Sequence, residues 1–530
     1  MYQIDLLFIF TVTLCFVSSL SLFMVLRRDL MMLQQNSYRK DRYVKWINGS
    51  GETTTFRRIF TIIALFLILA FPHLKLISYP VASIICIWNF LDLLLAKYKK
   101  PLAMTSRAKR LLITSLVLVT IILVAGFILA KQISIFPILL LALAILSPIV
   151  MICSLLILSP VENAINRKYY NEAVDILKSM PDLKIIGITG SYGKTSTKHY
   201  LHRILSEHFD VMMTPGSYNT PMGVIRTIRE YLKPYNEVFI VEMGAKQIGD
   251  IKEICDLVHP EIGIVTAVGE QHLESFKTIE NVQKTKFELI DSLPENGFAV
   301  VNNDFKYVAK RKIDNVNSVR YSVSDKAPNG FRADNIVYNP QGSEFDLVTP
   351  TGETIHFSTP LLGECNISNL LGAIAVALYM KEPIEKILYA VSHIEQVEHR
   401  LSRKLTPGGI TIIDDAFNSN PDGSRMALDV LKQMTSGKRI VVTPGMIELG
   451  EKQYELNMVF GSHIAESADI AIIVGKYNRE AIVEGIKTKK FDDNNLFTVD
   501  TFAQAQAMLT PILAKGDIVL YENDLPDTFK

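Results

Sequence analysis

LKIIGITGSYGKTSTKHYLHRIL, residues 183–205, holds a short β-branched apolar run, a glycine-rich turn and the start of a helical pattern. The run Leu183–Thr189 predicts a buried parallel strand, and the pattern after Lys194 predicts a helix through Leu205. A strand, a glycine turn and a helix N-terminus make an anion site, because backbone N–H groups converge and the helix dipole favours negative charge. Gly190, Gly193, Lys194, Thr195 and Ser196 form the phosphate-facing set. Lys194 is placed to reach the β/γ-phosphates of a nucleotide and Thr195 to hold Mg²⁺. The spacing departs from the full Walker pattern, since Ile188 stands where that pattern has glycine.

The chain around this turn is long, 530 residues, so several domains are expected. Its 49% hydrophobic content is concentrated before about Pro160, while a formal charge of +1 supplies no field for nucleic acid. Apolar stretches at about Leu6–Leu26, Ile59–Ile77, Tyr79–Ala96, Leu111–Ala130 and Ile135–Leu158 approach the ~20 residues of a membrane crossing. Arg27 and Arg28 follow the first stretch where a signal peptide would have small residues, so it reads as an uncleaved span. Arg39, Lys40, Arg42, Lys45, Arg57 and Arg58 enrich the same loop, and Lys97 to Arg110 enrich the loop after the third stretch. The positive-inside rule puts both loops in the cytoplasm, leaving everything after Ser159 cytoplasmic. Pro72, His73 and Lys75 interrupt the second and third stretches, which also fit a tight hairpin or re-entrant pair. Asn89 and Asp92 lie in the third, with Asp92 near its cytoplasmic end. None of the five cysteines forms a CxxC pair, so neither a disulfide set nor a zinc ribbon is supported.

Downstream segments resemble the Mur ligase family in order and spacing from about Ile185 to Val519, and its D-alanyl-D-alanine-adding, MurF-like branch above the others. TGSYGKTST resembles the family's nucleotide loop and PGSYNTPMGV its asparagine-rich substrate loop. VEMGAKQIGDI, TAVGEQHLESF and KTKFELI resemble the segments carrying a metal carboxylate, a metal histidine and a modified lysine. LLGECNISNLLGAIAVA, IDDAFNSNPDGSRMAL and MIELGE resemble the later nucleotide-contact segments.

The resemblance implies an α/β fold in which N-terminal transmembrane helices (1–160) precede a P-loop-containing parallel-sheet central ATP-binding domain (161–395) and a Rossmann-like C-terminal domain (396–530). It implies ATP-dependent amide-bond formation through an acyl phosphate, with two Mg²⁺ sites. Glu242 and Thr195 would serve the first and His272 the second, with a CO₂-carbamylated Lys286 as a further, carboxylate-like metal ligand. Catalytic roles fall on Lys194, Lys286 and His272. Asn366, Asn369 and Arg400 would meet the nucleotide and its phosphates, and Asp415 and Asn418 its ribose and base. Read by residue type alone, Glu242 is a solvated strand end, Lys286 a surface lysine, and Asn418 and Asn420 cap or turn residues before Pro421.

Departures bear on substrates. Membrane stretches stand where the family has its UDP-sugar domain, which suggests a lipid-linked or membrane-proximal carboxylate-bearing wall or envelope precursor as acceptor. Pro444-Gly445 replaces a Gly-Asp pair, Asn457 and Cys365 stand at histidine positions, and VLYENDLPDTFK replaces VLVKGSR, a segment that helps recognise the amino component. The expected protein is a multi-pass plasma-membrane ligase of peptidoglycan or envelope synthesis. The alternative is a catalytically impaired nucleotide-binding membrane scaffold. An amidating relative would carry a zinc ribbon, which the cysteines do not offer.

Overall fold

In the computed structural model, the described residues are 6–98, 100–271, 273–324, 327, 329–339, 342–416 and 419–524. They fall into two compact units, Met1–Arg167 and Lys168–Asp524.

The first unit is helical. Helices Leu6–Gln35, Pro72–Leu95, Ser106–Ala130 and Ser147–Lys178 are long and apolar enough to cross a membrane, by length and composition. Four of the five expected stretches thus yield a helix of spanning length among the described residues, and the second yields a shorter one. The second stretch forms a helix of 15 residues, Phe56–Ala70, about 22 Å long against a hydrocarbon core of ~30 Å. Pro72 then opens a 3₁₀ turn, Pro72–Leu74, before the chain re-enters helix at Lys75. The fifth stretch breaks at Leu146 into Ile135–Ile145 and Ser147–Lys178. Pro148 explains the break, because a proline in the first turn has no N–H to continue the preceding ladder. Large apolar side chains point outward from these helices: Phe16, Leu95 and Leu129 are 65%, 74% and 85% exposed.

In the second unit the first sheet contains β1 (Lys184–Thr189), β2 (Val211–Met213), β3 (Val238–Glu242), β4 (Ile262–Val265), β5 (Phe298–Asn302), β6 (Asn317–Ser322), β7 (Phe331–Asn339), β8 (Gly342–Val348) and β9 (Thr354–Thr359). Their order is β2-β3-β1-β4-β5-β6-β7-β8-β9. Pairing is parallel up to β7, then antiparallel through β8 and β9. The β-branched run that opens the domain is therefore a central strand, β1, flanked by β3 and β4. Such a strand is buried on both faces, which is why its apolar residues run together instead of alternating. Ile186 and Ile188 enter one core, with Tyr200, Leu201 and Leu370, while Ile185 enters the other, with Phe239 and Leu289.

The second sheet contains β10 (Ser402–Leu405), β11 (Thr411–Asp415), β12 (Arg439–Thr443), β13 (Ile470–Val474), β14 (Leu496–Val499) and β15 (Ile518–Glu522). Its order is β10-β11-β15-β12-β13-β14, parallel except for β10. Cores on both faces are aliphatic, built around Leu428, Ile473 and Leu520 on one side and Ile472 and Val519 on the other. Two helices on this sheet pack at backbone distance. A Cβ on Gly485 would lie 1.8 Å from the Met458 carbonyl oxygen, and one on Gly461 would lie 2.2 Å from that of Ile482. Overpacking of this kind costs about 1–3 kcal/mol or more. Gly485→Val is expected to lower the thermal unfolding midpoint of the C-terminal domain, measured by scanning fluorimetry, whereas the exposed Lys487→Gln leaves it unchanged.

Candidate nucleotide site

The site grows from the carboxyl end of β1. Gly193 adopts φ +81, a left-handed conformation that glycine takes without steric cost, and it sits against Asn369. At Gly190 a Cβ would come within 2.0 Å of Thr266 Oγ1, so only glycine lets the loop lie this close to β4. Helix Lys194–Leu205 starts directly after Gly193. Lys194 Nζ donates to the carbonyls of Gly190 (2.7 Å) and Ser191 (3.1 Å), curling over the turn it would share with phosphates. Burial, reinforced by Arg400 and opposed by Glu242, brings Lys194 down to about 8.

Glu242 ends the neighbouring strand and is 1% exposed. Its Oε1 accepts from Thr195 Oγ1 and from Asn219 Nδ2, each at 3.1 Å. Its Oε2 pairs at 3.1 Å with Lys198, whose side chain is fully buried and also donates to the Gly216 carbonyl at 2.7 Å. Burial alone would raise the Glu242 carboxyl, but Lys198, Lys194 and Asn219 hold it below the usual carboxylate range. The exposed strand-end reading of Glu242 is therefore incorrect.

Lys286, on helix Ile279–Asp291, is 2% exposed, which also excludes the surface-lysine reading. It makes no ion pair within 4 Å among the described residues. Burial, together with Lys194, lowers it to about 7, against the pull of Asp250 and Glu288. Among the described residues no three His, Cys, Asp or Glu side chains group to hold a metal. A hydroxyl and a carboxylate converging at 3.1 Å still suit Mg²⁺, which uses one or two carboxylates plus phosphate oxygens rather than an all-protein cage. His272 and Asn418 lie outside the described residues.

A cavity adjoins the loop, lined by Tyr192, Gly193, Asn302 and Phe305 on one side and Arg400 and Asp415 on the other. Asn369 and Ser196 also line it; Asn369 Oδ1 accepts from Thr197 Oγ1 at 3.3 Å. Asn366 reaches the cavity wall but is satisfied by protein, accepting from Tyr200 (2.8 Å) and donating to the Leu362 carbonyl (2.9 Å). Asn420 caps helix Pro421–Gln433, its Oδ1 accepting from Gly423 N at 3.0 Å. Asp415 accepts from Leu401 N at 3.1 Å, and burial raises it to about 6 despite Arg400. Glu522 stands opposite Asp415 across β11 and β15 and is pushed well above the carboxylate range by burial and by Asp415. Tyr192 donates to Asp422 at 2.8 Å, and Lys246 pairs with Glu448 at 3.5 Å, joining the two lobes of this unit.

Reading the motifs alone missed Lys198 and Tyr192. Lys198 had a usable signal: it lies one helical turn after Lys194, so both face the same side of the helix. Tyr192 had none, because its partner is 230 residues away.

Comparison with known proteins agrees with this arrangement. The family described as "Mur ligase middle domain" matches residues 188–377, and "Mur ligase, glutamate ligase domain" matches residues 399–521. The UDP-N-acetylmuramoyl-tripeptide--D-alanyl-D-alanine ligase of Escherichia coli (strain K12) is 30% identical over 66% of this chain and 77% of its own length. The enzyme of the same name from Buchnera aphidicola subsp. Acyrthosiphon pisum is 33% identical over 54% of this chain, and the match spans 62% of that relative. Among solved structures, MurF from Acinetobacter baumannii superposes with a TM-score of 0.61 at 25% identity, covering 67% of this chain and 76% of the other. The chain belongs to the Mur ligase family, whose members are ATP-dependent amide-bond ligases.

Removing one partner of a buried ion pair costs about 3–5 kcal/mol, because the other charge is stranded. Lys198→Met is therefore expected to lower the thermal midpoint sharply, and Lys198→Met/Glu242→Gln to recover most of the loss in a double-mutant cycle.

Proposed function

We propose that this protein is a membrane-anchored ligase that joins a lipid-linked carboxylate to an amine at the expense of ATP, in wall or envelope precursor synthesis. The observation that carries this reading is the junction of Thr195 and Glu242 beside Lys194, on the loop whose Gly193 and Ser196 line a cavity that Arg400 and Asp415 also line. It supports a nucleotide held between a central domain, 161–395, and a C-terminal domain, 396–530. The acceptor assignment rests on the apolar helices that stand where relatives carry their UDP-sugar domain. With Phe56–Ala70 and Lys75–Leu95 taken as the hairpin or re-entrant pair, positive-inside placement of the basic loops puts both catalytic domains in the cytoplasm.

In this reading an acceptor carboxylate oxygen attacks the γ-phosphorus and ADP leaves. The amine then attacks the acyl carbon, phosphate departs and the ammonium proton is lost. The chemistry needs positioning and charge neutralisation. The backbone from Gly190 to Ser196 cradles the phosphates, Lys194 swings from its loop carbonyls onto them, and Arg400 approaches from the opposite lobe. Asn369 orients the turn, and Asp415 with Asn418 holds the ribose and base. Mg²⁺, when bound, would neutralise the phosphates, with Thr195 and Glu242 at one ion, His272 at another and a carbamylated Lys286 as a further ligand. The E. coli and Buchnera relatives act on D-alanyl-D-alanine by name. A D-amino-acid dipeptide is thus the first amine to try.

Phosphate release by detergent-purified protein is expected only with ATP, a lipid-linked carboxylate and an amine together. Lys194→Ala should reduce it by at least about 100-fold, as losing a preorganised charge on the transition state does. Turnover on soluble UDP-muramoyl-tripeptide but on no lipid-linked acceptor would reject the acceptor assignment. Nucleotide binding without turnover on any acceptor would favour a scaffold.

Lys286 gives a pH test. Its folded-state value of about 7 lies below the ordinary lysine range, so the neutral amine, the form that reacts with CO₂, predominates only above that pH. A ¹³CO₂-derived carbamate signal should grow as pH rises through 7, fade below about 6, and be absent in Lys286→Arg.

A further inference from the structure

Within the helical unit a small second pocket gathers charged and polar side chains among apolar helices. Arg28, Arg57 and Arg58 line it together with Thr61 and Asn89, and Glu52 is the one carboxylate among its lining residues. Glu52, 5% exposed, contacts Arg28 directly and stands 3.9 Å from Arg58, so one carboxylate is shared by two guanidiniums. Arg57 pairs at 2.8 Å with Asp92, which does not line the cavity and is 43% exposed. Asp29, buried and also outside the lining, faces Arg58 and Arg28 from behind, so the three arginines meet Glu52 in the cavity and Asp92 and Asp29 outside it.

Several donors and acceptors here are unspent. Among the described residues, Arg28 Nε, Arg58 Nη2 and Asn89 Oδ1 are buried without a hydrogen-bond partner. Asn89 uses its amide to donate to Thr61 Oγ1 at 2.9 Å, and Arg58 reaches the Ile145 carbonyl only at 3.4 Å. Orphaned guanidinium N–H groups in an apolar unit are costly unless a ligand satisfies them. Helix Phe56–Ala70 compounds this. Its first turn holds Arg57 and Arg58 and no acid, and its N-cap residue Thr55 makes no side-chain cap bond. Cations at a helix N-terminus oppose the dipole, and a bound anion would reverse that penalty. Guanidinium forks match phosphate oxygens two at a time.

We infer that this cavity binds the phosphate end of a membrane lipid. The inference rests on the membrane reading proposed above, and it extends that reading by giving the lipid-linked acceptor a place to be held. The cavity is formed by the ends of helices that adjoin the basic loops, the side assigned to the cytoplasm. The same helices expose Phe60 and Trp88, whose rings meet edge to face at 5.6 Å, as an apolar surface for a hydrocarbon chain. Holding the lipid on the same polypeptide as the ligase domains would raise its effective concentration for them.

The test uses the full chain in neutral detergent, with thermal stabilisation titrated against a long-chain prenyl diphosphate, phosphatidylglycerol and inorganic pyrophosphate. Saturable stabilisation by the prenyl diphosphate is expected. Its apparent affinity should fall about tenfold or more in Arg58→Gln, the scale of a lost charge-assisted hydrogen bond. Arg57→Gln/Asp92→Asn removes a cation and its partner together, keeps the charge balanced, and should show the same loss if Arg58→Gln does not fold. Lys40→Gln, an exposed charge of the same loop, should bind like the parent. Equal binding by the pocket variants overturns the site. Equal stabilisation by pyrophosphate overturns the lipid assignment, and equal stabilisation by phosphatidylglycerol supports the site with bulk phospholipid as occupant. Binding that meets these criteria without ATP turnover on any lipid-linked carboxylate would sustain the site and reject the acceptor reading. Turnover that survives with unchanged acceptor KM in both pocket variants would reject the site's part in holding the acceptor.

Discussion

A buried negative charge organises the ligase half of this molecule. Glu242 sits at the carboxyl end of a central strand, 1% exposed, where an unpartnered carboxylate would cost several kcal/mol. Its partners come from separate segments: Thr195 and Lys198 from the helix after the phosphate loop, and Asn219 from the loop after β2. Satisfying this one group fixes the loop, the helix start and the asparagine segment against each other. Lys286 is the opposite case, a buried amine with no ion-pair partner among the described residues. Lys194 and Lys198 already face Glu242, and converting Lys286 to a carbamate would remove a further cation from their neighbourhood.

Much of this was legible along the chain, for a physical reason in each case. β1 announces itself by continuous apolar residues because both its faces are buried, and the loop by glycines at positions that a Cβ would clash with or strain. What a motif cannot convey is which polar groups are already satisfied. Asn366 and Asn420 occupy family positions, yet both are tied to backbone or to Tyr200, so their local bonding had to be seen. Lys198 and Tyr192 act across the tertiary structure. The count of spans also required geometry: hydropathy totals do not register that Pro72 and Pro148 interrupt the backbone ladder.

Departures from the family pattern that look scattered in sequence meet at one place. Asn457 Oδ1 accepts from Met446 N at 2.9 Å, and its amide donates to the Met446 and Gln453 carbonyls. Asn478 donates to the Pro444 carbonyl at 3.0 Å, and Asn523 to that of Gly445 at 2.6 Å. Gly445 has φ +80, and a Cβ there would stand 2.6 Å from Asn457 Oδ1. An aspartate at 445 is thus incompatible with this placement of Asn457, so the two changes belong together. A neutral amide network occupies a region where the family pattern has an acid and a histidine.

The central claim is that an acceptor carboxylate, and not water, takes the γ-phosphoryl group. Its most direct measurement is isotopic: turnover of a lipid-linked acceptor labelled with ¹⁸O in the carboxylate, followed by mass spectrometry of the released phosphate. Acyl-phosphate chemistry requires one carboxylate oxygen to leave with each phosphate, so the account expects a single ¹⁸O per phosphate released. Phosphate without ¹⁸O, its fourth oxygen taken from solvent, would mean that the site hydrolyses ATP without activating a carboxylate, and would contradict the account.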